Sequence, residues 1–222
     1  MNWKIWIAVP AIYAVFCFWY FNWQGPLTQP EIDRFMAAFN AQQGSKHTPS
    51  ETIRRFLEED DGRGFVMLNQ VQLHETPVPH PETGTPMDGQ SLLAEYFEPF
   101  AWALLKRGGH PVFQARTVGG HIDTWNAEAN VSFTATAMMR YRSRRDLIEL
   151  IDNPAFADGH VYKLAAIERT VSYPTQVIVS TSLTPPVAVF VLLILLGSLT
   201  QNIVNLRRES RKFGAEPTSS LS

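Results

Sequence analysis

Cysteine is almost absent from this chain. Cys17 stands alone, so no disulfide framework and no cysteine-rich metal site can form within one copy. Charge is also sparse, at 18% of residues, and the net of −2 favours neither sign strongly. Between residues 24 and 183 there are 19 acids against 14 bases. That mild acidity excludes the positive field of a nucleic-acid binder, and no nucleic-acid partner is expected. An internal repeat, a phosphate loop, a dinucleotide fingerprint and a Ser, His and Asp arrangement are missing too. No cofactor is therefore expected.

What the chain does have is two long hydrophobic runs. Residues 3–23 carry one charge, Lys4, and residues 185–204 carry none. Each is long enough for a hydrocarbon core that needs roughly 20 apolar residues. Tryptophans gather at both ends of the first run, where an amphipathic ring sits among lipid headgroups. Residues 22–26 offer no small-x-small site for signal cleavage, which favours an anchor. The second run opens on Pro185 and Pro186, suited to a helix start, and is followed by Arg207, Arg208, Arg211 and Lys212. The positive-inside rule assigns such a cluster to the cytoplasm, and Lys4 puts the N-terminus there as well. The expectation is a bacterial inner-membrane protein with two transmembrane helices, a basic cytoplasmic tail at 205–222, and a periplasmic domain between the spans.

That domain begins with a helical extension at 24–62. Thr28 to Glu31 and Thr48 to Glu51 both fit capping boxes. Ile32, Phe35, Met36 and Phe39 form a stripe at helical spacing, and residues 58–61 form an acidic terminus expected to be solvated. Residues 64–73 alternate as a strand, with Phe65, Met67, Asn69, Val71 and Leu73 on one face. A proline- and glycine-rich loop at 76–90 precedes a helix at 91–107, which Pro99 should kink. Extended patterns follow at 110–118 and 131–141. A helix capped by Ser143 and Asp146 comes next, then a second helical stretch to residue 169 and a last strand at 171–180. Strand, helix, strand, strand, helix, strand is the order of a ferredoxin-like split βαβ domain, expected over 63–182 in an α+β chain.

Five segments strengthen that expectation: Met67-Leu68-Asn69; Tyr96 with Pro99; Lys106-Arg107-Gly108-Gly109; Arg140-Tyr141-Arg142-Ser143-Arg144; and Asp152-Asn153-Pro154-Ala155-Phe156. In this order, over residues 63–175, the chain resembles an uncharacterised branch of the dimeric α+β barrel superfamily. The resemblance implies a ferredoxin-like domain that pairs with a second copy through its sheet. It also departs from the pattern, since Tyr162-Lys163-Leu164-Ala165-Ala166 stands where relatives carry a histidine and an arginine before the paired alanines. Superfamily members include cofactor-free oxygenases, isomerases and plain binding modules, so fold does not select among them.

The candidate chemistry lies in polar residues on apolar faces. Asn69 interrupts an apolar strand face and would either meet a ligand or be satisfied by protein partners. His110, His121 and Asp123 surround the second strand, where a carboxylate could orient an imidazole for proton transfer. Tyr96 could stack on a ligand, and Arg140 and Arg142 could fork onto a carboxylate or phosphate. Arg144 and Arg145, in a first helical turn, should pair with Asp146, Glu149 or another acid. His74, His80, His110 and His121 show no metal-ligand spacing, and no metal is expected. The leading expectation is a ligand-binding or assembly module that forms a homodimer on the lipid bilayer. The alternatives are a cofactor-independent oxygenase or isomerase and an accessory subunit of a membrane complex.

Overall fold

The computed structural model describes residues 2–41, 48–126 and 132–213. In chain order the elements are α1 Trp3–Tyr20, α2 Gln29–Ala41, α3 Ser50–Glu58, β1 Phe65–Leu73, β2 Val78–Pro79, β3 Pro86–Met87 and α4 Gly89–Lys106. They continue with β4 His110–Arg116, β5 Ala135–Tyr141, α5 Arg144–Ile151, α6 Pro154–Ala166, β6 Ile167–Thr175 and α7 Pro185–Phe213. The chain divides into two compact units: Phe21–Ile178, and the flanking segments Met1–Tyr20 with Val179–Ser222.

Among the described residues of the flanking unit, α1 and α7 are both long and apolar enough to cross a membrane. They run antiparallel. Asn2 N donates to Gln201 Oε1 at 2.6 Å, Val9 abuts Gly197, and Tyr13 meets Phe190 edge-on at 5.4 Å between ring centroids. A Cβ at Gly197 would stand 2.9 Å from Val9 Cγ2, so glycine is what lets the two backbones approach. Many apolar side chains on both helices are exposed, including Ile7, Val15, Phe18, Leu192 and Leu195. α1 ends at Tyr20, three residues short of the expected run. α7 continues past residue 204 through Arg207 and Arg208 to Phe213, since residues 198–213 contain neither proline nor glycine.

The other unit is α+β and is built on a four-stranded antiparallel sheet in the order β4-β5-β1-β6. β1 is central, pairing Asn69 with Ala137 of β5 on one side and with Ser172 of β6 on the other. Phe65 and Tyr141 are cross-strand partners whose rings stack at 5.1 Å, with Phe56 edge-on to Phe65. Phe100, Leu104, Met139 and Leu150 complete this core. A second cluster of Ile32, Phe35, Met36, Leu57 and Ile148 fixes α2 and α3 to α5.

Several boundaries differ from the sequence reading. α4 starts at Gly89 because Asp88 caps it, accepting from Ser91 N at 2.9 Å, and it runs through Pro99 without a break. It stops at Gly108, whose φ of +71° lets Gly108 N and Gly109 N reach the carbonyls of Leu105 and Leu104. The expected loop at 76–90 contains a two-rung hairpin, β2 with β3. β4 ends at Arg116 and β5 begins at Ala135; Val131, the expected start of that strand, lies outside the described residues. α6 ends at Ala166 rather than residue 169, and β6 spans 167–175 rather than 171–180. Leu73 pairs Ile167 and Gln72 pairs Arg169, so the ladder to β1 captures residues of good helix propensity. Glu31 returns to Thr28 N at 2.7 Å as a capping box should, whereas α3 begins after Pro49 with no side-chain cap. Ser143 caps α5, accepting from Asp146 N at 3.0 Å.

Candidate functional site

A cavity of about 260 Å³ opens between the sheet and the helices α4 and α6. Its floor is Asn69, Val71, Gln114, Ala137, Met139 and Thr170 from the four strands; Leu93, Tyr96 and Phe97 of α4 and Lys163 of α6 close over it. The side-chain period of two explains this, since residues 69 and 71, 137 and 139, and 114 and 170 all point to the helix side. The volume falls just below the roughly 300–1,000 Å³ of drug-sized sites, so the space suits a small molecule.

Asn69 lies on this floor, as expected, and it is satisfied by protein. Nδ2 donates to the carbonyls of Met67 (3.2 Å) and Ala137 (3.3 Å), and Oδ1 accepts from Ser172 Oγ at 2.7 Å. The amide is thereby held in one orientation, leaving Oδ1 its second lone pair. Tyr96 stacks on Phe100 at 5.5 Å, and burial pushes its phenol up to about 12. Burial raises Tyr141 as well. Both phenols therefore keep their protons at neutral pH and can donate.

Lys163 is not among the site residues that the sequence singles out, and among the described residues it is the one basic side chain in the lining. Its Nζ lies 5.7 Å from the Tyr96 ring centroid. The residue is only part-buried over its whole surface, yet burial lowers its pKa, with no charged neighbour contributing. Among the described residues no hydrogen bond or ion pair engages its amine. The signal in the sequence is modest: an isolated lysine on the last helix of the domain, among Val161, Leu164, Ala165 and Ala166.

The remaining candidates are not brought to the cavity. His110 stands at the start of β4 with Nδ1 2.8 Å from Pro111 O. His121 and Asp123 are exposed in the connection after β4, not on a shared strand face, because the ladder ends at Arg116. Arg140 donates to Gly108 O at 2.6 Å, and Arg142 forks onto Asp146 at 2.9 and 2.6 Å. Among the described residues no three His, Cys, Asp or Glu side chains converge on one point. His80 is buried, and its Nδ1 accepts from Glu82 N and Thr83 N at 3.2 Å each. The ring proton therefore sits on Nε2, 3.0 Å from Glu95 Oε2, and ties the hairpin to α4.

Of the acids at residues 58–61, Glu58, Glu59 and Asp61 are exposed as expected, whereas the Asp60 side chain is buried. Asp60 accepts from Leu27 N at 2.8 Å and Gly62 N at 3.1 Å and lies 3.5 Å from Arg144 Nε. Arg145 pairs with Glu31 at 2.9 Å, so the arginines of α5 find their acids in the N-terminal extension rather than on α5 itself. The Arg145 hydrogen bond, followed by those of Thr28, lowers Glu31 from 4.5 to about 2. A depressed carboxyl contributes stability that is complete above its unfolded value and disappears as pH falls through its folded one. The melting temperature is therefore expected to fall between about pH 4.5 and pH 2, with a shallower slope for Glu31→Gln, as circular dichroism would record.

No family model matches the chain, and no curated protein matches it. Among solved structures it is similar to RPA0582, a protein of unknown function from Rhodopseudomonas palustris, with a TM-score of 0.48 and 20% identity over 59% of this chain and 94% of that one. The methylated RPA0582 protein gives 0.48 and 19%, over 60% and 93%. At3g17210 from Arabidopsis thaliana gives 0.34 and 13%, over 54% and 99%. Likenesses this slight define neither a family nor a function.

Proposed function

We propose that this chain is a membrane-tethered binding module whose ferredoxin-like domain holds a small, largely apolar molecule between its sheet and helices. The observation that carries the reading is the cavity. Apolar walls from Val71, Leu93, Phe97, Phe100 and Met139 enclose a few convergent polar groups, those of Asn69, Gln90, Gln114, Thr170 and Lys163. That is the composition of a small-molecule site. The antiparallel order β4-β5-β1-β6, with α4 and α6 as crossovers, supports the ferredoxin-like assignment.

Tethering is supported by two apolar helices whose outward surfaces would be costly in water. Their antiparallel packing brings Asn2 and Gln201 to one end, in keeping with both termini in the cytoplasm and the domain in the periplasm. Pairing with a second copy is supported by the sheet face opposite the cavity. There Phe113, Met138, Leu68 and Tyr173 form one apolar row across the four strands, with Phe113 and Tyr173 exposed.

The test fills the cavity. Ala137→Phe on its floor is expected to abolish binding of the neutral amide of hydrocinnamic acid, followed by calorimetry on the full chain in lipid nanodiscs against empty discs. Undiminished binding in that variant would place the ligand elsewhere. Light scattering of the wild-type sample is expected to return twice the chain mass, and a monomer would remove the pairing.

A further inference from the structure

The cavity contains one group that nothing inside the domain explains. Its other polar lining residues are amides and hydroxyls: Asn69, Gln90, Gln114, Thr170, Tyr96 and Tyr141. Among the described residues no carboxylate lines it and none pairs with the Lys163 amine. The two acids of α4 near this end are engaged or turned away: Glu95 holds His80, and Glu98 is exposed. A part-buried ammonium with no counter-ion is costly, and a ligand can supply what the fold omits.

Resting on the reading of the cavity as a binding site, we infer that its ligand is a monoanion: a small carboxylic acid with an apolar body, bound with its carboxylate at the Lys163 amine. The stoichiometry of charge follows from the lining, whose described residues offer one cation and no second base for a dianion such as a phosphate monoester. The geometry of the body follows as well. The amine sits against the Tyr96 ring, and the space beyond is walled by Phe97, Phe100 and Met139, which suits a short chain or one ring. Gln114 and Thr170 supply neutral polar groups from the two edge strands of the sheet. Burial lowers the pKa of the lysine when it is alone, and an arriving carboxylate restores the charged form, so the pair becomes complete only with ligand present.

The experiment compares hydrocinnamate with its neutral amide on the full chain in nanodiscs, by calorimetry, in wild type, Lys163→Met and Lys163→Arg. Wild type is expected to prefer the carboxylate by about tenfold, which corresponds to ~1.4 kcal/mol. Lys163→Met should lose that ratio while still binding the amide, which also reports that the cavity remains folded, and Lys163→Arg should keep much of it. Equal affinities in wild type, or a preference that persists in Lys163→Met, would overturn the inference while leaving the cavity as a binding site. Failure of wild type to bind either compound would remove the binding reading itself, and this inference with it.

Discussion

Asp60→Ala is expected to lower the unfolding free energy of the sheet domain by about 3–5 kcal/mol, the range for breaking a buried ion pair from one side. The Asp60 side chain is 2% exposed and that of Arg144 is 13% exposed. The carboxylate accepts from two backbone donors, Leu27 N and Gly62 N, and pairs with the Arg144 guanidinium. Removing it strands two backbone N–H groups and a cation that is already committed to the Phe56 ring at 4.5 Å and to the Phe56 carbonyl. The effect should spread, because these contacts tie the N-terminal extension to α5. The control is Arg55→Ala, which breaks an ion pair whose side chains are 79% and 60% exposed and should leave stability nearly unchanged. Chemical unfolding followed by circular dichroism measures both. A loss at Asp60 no larger than at Arg55 would contradict the packing described for this corner.

Leu195→Arg should have the second large effect, which on the proposed tethering falls on membrane insertion rather than on the domain. Leu195 is 61% exposed near the middle of the apolar part of α7. In a bilayer that surface faces lipid, where an arginine costs about 2.5–3.5 kcal/mol at the helix centre. The variant is expected to move from the membrane fraction into the aqueous or degraded fraction. Leu206→Arg is the matched control. Leu206 is equally exposed but lies beside Arg207 and Arg208, where a further base sits at the interface and should leave fractionation unchanged. Identical fractionation of the two variants would contradict the transmembrane reading of α7.

Local pattern alone makes much of the sheet domain legible. The alternation of Phe65, Met67, Asn69 and Val71 puts Asn69 on the helix-facing side of β1, and helical spacing puts Tyr96 on the helix that covers it. Ser143 with Asp146 announces the start of α5. What is not legible depends on partners distant in the chain. Ala165 to Arg169 favour helix by composition, and only the ladder between Leu73 and Ile167 turns residues 167–169 into strand. Asp60 reads as a solvated helix terminus until Leu27 and Arg144 close over it. The site itself divides the same way. Asn69 stands out because it breaks a local rule, whereas Lys163 breaks none: a lysine on a helix is ordinary until α4 and the sheet enclose it. His121 and Asp123 look paired only if the strand continues past Arg116, and the ladder to β5 stops there.

The binding reading rests on which face of the sheet receives the ligand, and two adjacent methionines report on the two faces separately. Met139 lines the cavity, while Met138 pairs with Leu68 and Phe113 on the opposite side. With the methionine methyl groups carbon-labelled in the full chain in nanodiscs, titration with hydrocinnamate is expected to shift the Met139 resonance and leave that of Met138 in place. A shift confined to Met138, or none at either methyl group, would contradict the account.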